Sequence, residues 1–269
     1  MSIQRMLDLS GRVAVITGGS IGLGLQMATG LAEAGANVVL AARKLNRCEE
    51  AAEKISKALG VKALPVACDV SNQESVQNMI ATTVREFGKL DIMVNNAGVV
   101  WAEPAVDHKL KGWNKVMNIN LNGCFFCCQE AGKVMIEQKY GKIINLSSVC
   151  GFVGADAETT DALAYMASKG AINVMTKDLA AKWARYNITV NAIAPGYFPT
   201  DLTVSGYFQT DSTEETRYSE KGNNVLKHIP MRRFGGDEEL KGAVVYFASD
   251  ASSYCTGQIL AVDGGYLAI

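Results

Sequence analysis

The sequence predicts an α/β fold: a doubly wound sheet of seven parallel strands with helices on both faces. Three observations predict it. Seven short runs rich in Val and Ile recur along the chain, each too continuously apolar for a sheet with one wet face. Longer stretches with helical period separate them, and strand alternating with helix implies parallel strands joined by right-handed crossovers. No linker, low-complexity tract or internal repeat interrupts the rhythm, so residues 1–269 read as a single domain.

Composition narrows the class. Hydrophobic residues make up 48% and charged residues 20%, which excludes disorder. A net charge of −1 gives no electrostatic footprint for nucleic acid or an anionic membrane. No run is long and apolar enough for a membrane span, and the first residues lack the pattern of a signal peptide. Seven cysteines, an odd number, then point to reduced thiols in the cytoplasm.

The first strand, 13–17, runs into Thr17-Gly18-Gly19-Ser20-Ile21-Gly22-Leu23-Gly24, which opens a helix over 24–34. Here Gly18, Ser20, Ile21, Gly22 and Gly24 form a tight turn in which backbone N–H groups can approach a pyrophosphate, with the positive helix end behind them. Taken alone, such a cluster also fits a plain strand-to-helix turn; its place after an N-terminal strand favours a nucleotide. The second strand, 37–41, ends in Ala42-Arg43-Lys44. An acidic residue there would bind a ribose 2′-hydroxyl, and none is present. Arg43 offers a planar fork for a 2′-phosphate and Lys44 a second charge, so NADP(H) is favoured, with NAD(H) the alternative.

Helix 47–59, strand 62–67, helix 74–87 and strands 91–95 and 142–146 follow in turn. Cys124, Cys127 and Cys128 lie in an apolar helical run and read as small core hydrophobes, since no second Cys/His cluster exists to share a metal. A helix over 167–185 begins near Tyr165 and Lys169, which lie four apart on one face. A neighbouring ammonium lowers a phenol's pKa and suits it to general acid/base work near neutral pH. Strand 188–194 precedes an irregular stretch, about 197–226, whose aromatic residues read as a lid. Strand 258–262 closes the sheet.

Thr17–Gly24, Asn95-Asn96-Ala97-Gly98, Asn120, Ser148, Tyr165-x-x-x-Lys169 and Pro195-Gly196 occur in this order. Together they resemble the short-chain dehydrogenase/reductase family over essentially the whole chain, in the branch of 3-oxoacyl thioester reductases, gluconate 5-dehydrogenases and cyclic-alcohol dehydrogenases. The resemblance implies a Rossmann fold and a homotetramer built on the helices around 114–137 and 164–185 and the last strand. It implies that Tyr165 exchanges a proton with the substrate oxygen and that Lys169 lowers its pKa and holds the nicotinamide ribose. Ser148 would hold the substrate oxygen, and Asn120 would fix a water linking Lys169 to solvent. Asp69 and Val70 would meet the adenine. Asn95, Ala97 and Gly98 would line the adenosine side, although Asn95 equally fits a sheet-stabilising role. Pro195, Gly196 and Thr200 would contact the nicotinamide half. The chemistry calls for no metal.

The residues expected on the substrate side are Ser148, Cys150, Phe152, Tyr165, Tyr197, Phe198 and Tyr207, with a packed thiol the alternative for Cys150. Ser148 and Tyr165 are further apart than in most relatives, and the extra residues, 155–162, include Asp156, Glu158, Thr159, Thr160 and Asp161. Two readings stand: a specificity element that repels anions, or a solvated bulge. The expected substrate is a small cyclic or hydrophobic ketone. A 3-oxoacyl thioester or a keto-sugar acid is the alternative, and a catalytically silent NADP(H)-binding sensor or scaffold is an alternative of another class.

Overall fold

Each of the seven apolar runs becomes a strand, and the strands pair into one parallel sheet. The computed structural model describes residues 1–156, 158–200, 203–210 and 216–269. The sheet comprises β1 (Val13–Thr17), β2 (Asn37–Ala42), β3 (Ala63–Ala67), β4 (Ile92–Asn95), β5 (Gly141–Leu146), β6 (Ile188–Pro195) and β9 (Ile259–Val262). Their order across the sheet is β3-β2-β1-β4-β5-β6-β9. The helices include α1 (Ile3–Leu7), α2 (Gly22–Glu33), α3 (Leu45–Leu59), α4 (Gln73–Phe87), α5 (Leu110–Val116), α6 (Gly123–Gln138) and α7 (Leu163–Trp183). Further on lie α8 (Val204–Tyr207), α9 (Glu220–Lys227) and α10 (Lys241–Ala248).

Continuous apolarity follows from two covered faces. Successive strand residues point to opposite sides. Ala14, Ile16, Val38, Leu40, Ile92, Val94 and Ile144 pack with Met27 and Leu31 of α2, Ile55 of α3 and Phe247 of α10. Val15, Val39, Met93 and Ile143 pack on the other side with Met79 of α4, Met135 of α6 and Ile172 of α7. Cys124, Cys127 and Cys128 are buried in this second core with free thiols.

The chain lays down β1, β2 and β3 in one direction, then returns to place β4 on the other side of β1. At such a reversal the loops beyond the carboxyl ends of the strands part, and a crevice opens between them.

The segment after β6 is more ordered than its sequence suggests. It contains α8, an antiparallel hairpin of β7 (Phe208–Thr210) and β8 (Thr216–Tyr218), and α9. Tyr197, Tyr207, Val225, Ile229 and Phe234 join Val149 in a third, smaller core. Residues 201, 202 and 211–215 of the expected lid lie outside the described residues.

Candidate active site

A cleft of about 460 Å³ opens over the carboxyl ends of the strands, in the size range of small-molecule sites. Its lining includes Gly18, Ser20, Ile21, Gly22, Gly24, Arg43, Lys44, Asp69, Val70, Ala97, Gly98, Ser148, Cys150, Tyr165, Lys169, Pro195, Gly196, Tyr197, Phe198, Thr200 and Tyr207. These are sequence-predicted residues brought together from eight separate stretches of the chain. The cations following β2 and the Ser148–Tyr165 region following β5 are three strands apart, about 14 Å at the usual strand spacing.

The glycine loop is shaped by close backbone approach. Gly18 has φ +65°, and a Cβ there would stand 2.7 Å from Asn96 Nδ2. A Cβ at Gly24 would run into the Gly18 carbonyl oxygen. Asn96, a residue the motif reading passed over, ties this loop to the end of β4. Its Nδ2 donates to the carbonyls of Thr17 at 2.8 Å and Gly18 at 3.3 Å. Thr17 Oγ1 in turn accepts from the N–H groups of Asn96 and Ala97, at 3.0 and 3.1 Å. The result is a cradle of fixed backbone at the head of α2, suited to a phosphate group.

Beside the cradle, Arg43, Lys44 and Arg47 line the cleft, all exposed and without an ion pair among the described residues. Arg47 was not foreseen, yet the sequence carries a signal for it. Lys44 caps α3, Arg47 sits in its first turn, and no acidic residue balances them. Cations there oppose the helix dipole, so their placement calls for an anion nearby. Asp69 is the one carboxylate in the lining, and its Oδ1 accepts from Ser71 N and Oγ at 3.0 and 2.7 Å. These features fit a dinucleotide bearing an additional phosphate.

At the other end, Tyr165 and Lys169 lie one turn apart on α7. Lys169 Nζ donates to the Leu146 carbonyl at 2.6 Å and sits 5.4 Å from the centre of the Tyr165 ring. Burial lowers the Lys169 ammonium from 10.5 to about 8, against the opposing effect of Cys124 and Cys150. The expectation of a lowered Tyr165 pKa is corrected here. Burial raises it instead, Cys150 adds to the rise, and only Ser148 works the other way. The ammonium is drawn to a carbonyl and faces the ring, so desolvation of the phenolate dominates. Ser148 Oγ accepts from Cys150 N at 3.2 Å and caps a short 3₁₀ turn over Val149–Gly151. The Cys150 thiol is pushed up by burial and so stays protonated.

Three predicted residues do not line the cleft. Asn95 points into the sheet, where its Nδ2 donates to Asn145 Oδ1 at 2.8 Å across the β4–β5 register. Asn120 is buried in a π-helical turn, Met117–Asn122, between α5 and α6. Its Oδ1 accepts from Val99 N at 2.8 Å, and its Nδ2 donates to Val99 O and Ser168 Oγ at 3.0 and 3.2 Å. Its side chain therefore braces the loop after β4 against α7 beside Lys169 rather than facing substrate. Phe152 is turned outward by the 3₁₀ turn and is 47% exposed.

The long Ser148–Tyr165 interval touches the site after all. Thr160, also unforeseen, lines the cleft, and its Oγ1 lies 3.0 Å from Tyr207 Oη. Asp156 and Glu158 are exposed, Asp161 is half-buried, and none of them lines the cleft. Asp156 instead accepts from Thr159 N at 2.8 Å. The supposed repulsion of anions has no basis in this arrangement, and Ala157 lies outside the described residues.

Fold and cleft define an α/β enzyme with a dinucleotide-shaped crevice and a Tyr–Lys pair at its far end. Residues 18–267 match a family described as Enoyl-(Acyl carrier protein) reductase. The chain is 40% identical over 267 residues to a 2-dehydro-3-deoxy-D-gluconate 5-dehydrogenase from Dickeya dadantii (strain 3937), covering 99% of each. It is similar to a gluconate 5-dehydrogenase from Burkholderia cenocepacia J2315, solved in complex with NADP and tartrate. That match has 34% identity and a TM-score of 0.89 over 100% of both chains. It is also similar to an NADPH-dependent 3-quinuclidinone reductase from Rhodotorula rubra, with 32% identity and a TM-score of 0.89 over 100% of this chain and 96% of that one. The chain belongs to the short-chain dehydrogenase/reductase family of oxidoreductases.

Proposed function

We propose that residues 1–269 form a single catalytic domain that interconverts a ketone and a secondary alcohol with NADP(H), with Tyr165 as the general acid/base. The observation that carries this is one cleft with Ser148, Tyr165 and Lys169 at one end and the unpaired Arg43, Lys44 and Arg47 at the other. When bound, NADPH supplies the hydride that adds to the carbonyl carbon. The glycine cradle would hold its pyrophosphate, Arg43 and Arg47 its 2′-phosphate, and Pro195, Gly196 and Thr200 its nicotinamide half. Ser148 donates to the carbonyl oxygen as negative charge develops there, and Tyr165 gives that oxygen its phenolic proton. Lys169 stabilises the phenolate left behind until solvent reprotonates it. Burial raises the Tyr165 pKa, so the phenol holds its proton until the substrate oxygen takes it.

The substrate end is lined by Val99, Val100, Ala162, Tyr197, Phe198 and Tyr207, and Lys169 is its one cation among the described residues. This supports a small cyclic or hydrophobic ketone, as does the similarity to the quinuclidinone reductase. A keto-sugar acid is the second reading, favoured by the gluconate-type relatives. NADPH oxidation by the purified protein is to be measured with a cyclic ketone, a 3-oxoacyl thioester and a keto-sugar acid, with NADH in parallel. Clear turnover of the cyclic ketone with NADPH is expected. Tight NADPH binding without turnover of any carbonyl would instead make the chain a sensor or scaffold.

The pH dependence follows from Lys169. With its folded pKa near 8, the ammonium that supports the phenolate is present below that value and lost above it. Reduction is expected to be level from pH 6 to 7.5 and to fall about tenfold per unit above pH 8. A profile level to pH 9.5 excludes this assignment. The stability effect has the opposite sign. The unfolded chain keeps this proton to about pH 10.4, so the folded state gains stability as pH rises between the two values.

We also propose a homotetramer. Phe125 on α6, Val174 on α7 and Leu260 on β9 are exposed apolar side chains on the elements the family resemblance points to. Sedimentation is expected to give one tetrameric species, dissociated by Phe125→Glu with Val174→Glu. A monomer in the unsubstituted protein overturns the proposal.

A further inference from the structure

Asn173 does not line the cleft, yet it ties together the two elements that carry the reacting groups. Tyr165, Lys169 and Asn173 recur every four residues along α7 and so share one face. That face meets the end of β5 and the 3₁₀ turn that follows. Lys169 Nζ donates to the Leu146 carbonyl. One helical turn further on, Asn173 Oδ1 accepts from Ser147 Oγ at 2.5 Å, and its Nδ2 donates to the Gly151 carbonyl at 3.0 Å. One buried amide therefore grips the chain on either side of Ser148, Val149 and Cys150.

The amide has one workable orientation. The Gly151 carbonyl can only accept, so it must face Nδ2, and Oδ1 is left for the Ser147 hydroxyl. Asn173 is 7% exposed and Ser147 2%, so neither bond competes with bulk water. The turn also lies directly on the helix. A Cβ at Gly151 would stand 2.9 Å from Asn173 Nδ2 and from the Lys169 carbonyl oxygen. The near end of the turn is anchored to the sheet, where Ser147 N donates to the Ile193 carbonyl at 2.8 Å. The far end leads to the exposed Phe152 and Val153, so its register on α7 depends on the Asn173 bond.

This brace bears on the chemistry through Ser148. Ser148 Oγ accepts from Cys150 N within the gripped turn, which leaves its own proton for the substrate oxygen. Tyr165 is fixed to α7, whereas Ser148 is fixed to the turn. In the reaction proposed above both hydroxyls must reach one carbonyl oxygen. A displacement of about 1 Å between such groups can cost about 10²-fold in rate.

We infer that Asn173 is a positioning residue. By tying Ser147 and Gly151 to α7, it holds Ser148 Oγ where it and the Tyr165 hydroxyl reach the same substrate oxygen. It touches neither the substrate nor NADP(H). The inference rests on the ketone–alcohol reaction proposed above and adds a residue to its machinery.

The test is a double-substitution cycle on the purified enzyme, with NADPH and the carbonyl that turns over fastest in the panel above. Asn173→Ala is expected to lower kcat by about 10- to 100-fold and to leave NADPH affinity within about twofold. In a Ser148→Ala background the same substitution should add less than about twofold, because no hydroxyl is left to misplace. A residue that only supports the fold would lower activity by the same factor in both backgrounds. Equal factors, or an unchanged kcat in Asn173→Ala, therefore overturn the inference. Ser147→Ala deletes one of the two bonds and a smaller group. It should cost about three- to tenfold alone and again almost nothing once Ser148 is replaced, so its cycle decides the question if Asn173→Ala folds poorly. Failure of the underlying reaction is distinguishable. The unsubstituted enzyme would then turn over no carbonyl while binding NADPH, or Ser148→Ala would keep normal turnover, and the inference falls with it.

Discussion

Tyr165→Phe is expected to lower kcat for NADPH-dependent ketone reduction by about 10³-fold while leaving NADPH affinity within about twofold. The substitution removes one oxygen and little else. The ring stays at the start of α7, one turn before Lys169, and the helix keeps its packing on the second core. Ser148 still donates to the carbonyl oxygen, so some polarisation survives. What is lost is the proton donor, and a substrate oxygen left to collect its proton from water reacts far more slowly. Groups that act as a unit are not additive, so Ser148→Ala in the Tyr165→Phe background should add much less than it does alone. Normal turnover in Tyr165→Phe would sink the mechanism. Loss of NADPH binding together with turnover would mean that Tyr165 holds the nucleotide rather than the proton.

The sheet was readable because both of its faces are covered. Parallel strands with two buried sides leave uninterrupted Val and Ile runs, and the seven runs match the seven strands to within a residue at each end. Side-chain direction was harder. Asn95 and Asn96 are neighbours in one motif, but residues alternate across a strand. Asn95 shares the face of Met93 and bonds within the sheet, while Asn96, past the strand's end, reaches the glycine loop. A motif names the pair without saying which member points where. Phe152 escaped for a similar reason, since the 3₁₀ turn after Ser148 reverses its direction. Thr160 left no local trace at all. Its place in the site depends on Tyr207, 47 residues later, and that contact is set by the packing of the segment after β6.

The pKa of Tyr165 shows a further limit of spacing arguments. Four residues along a helix place two side chains on one face, but not their polar ends in contact. The Lys169 ammonium prefers a backbone carbonyl at 2.6 Å, and the phenol is left with the penalty of burial. In the reaction proposed above, the pair thus serves proton donation. An acid that must release its proton only as charge develops on a substrate oxygen gains from being held protonated until then.

Arg43→Ala should weaken NADPH binding by about 10- to 100-fold and leave NADH within about twofold, as measured by nucleotide fluorescence. The difference arises because the two nucleotides differ only at the 2′-phosphate, and a guanidinium–phosphate bond is among the stronger hydrogen bonds available to a protein. Arg43, Lys44 and Arg47 are exposed and form no ion pair with any described residue, so removing one breaks no contact that stabilises the fold. Their exposure also makes the attraction sensitive to screening. NADPH affinity should fall as ionic strength rises, with a smaller slope in Arg43→Ala and a smaller one again in Arg43→Ala/Arg47→Ala. Arg47 is the more telling of the two. In the first turn of α3 it is held against the helix dipole, a placement with no structural benefit of its own. If its only partner is the bound phosphate, Arg47→Ala should weaken NADPH and at the same time raise the thermal stability of the nucleotide-free protein slightly. Equal losses for NADPH and NADH in Arg43→Ala would remove the 2′-phosphate from this end of the cleft. A loss of stability in Arg47→Ala would show that the arginine serves the fold instead.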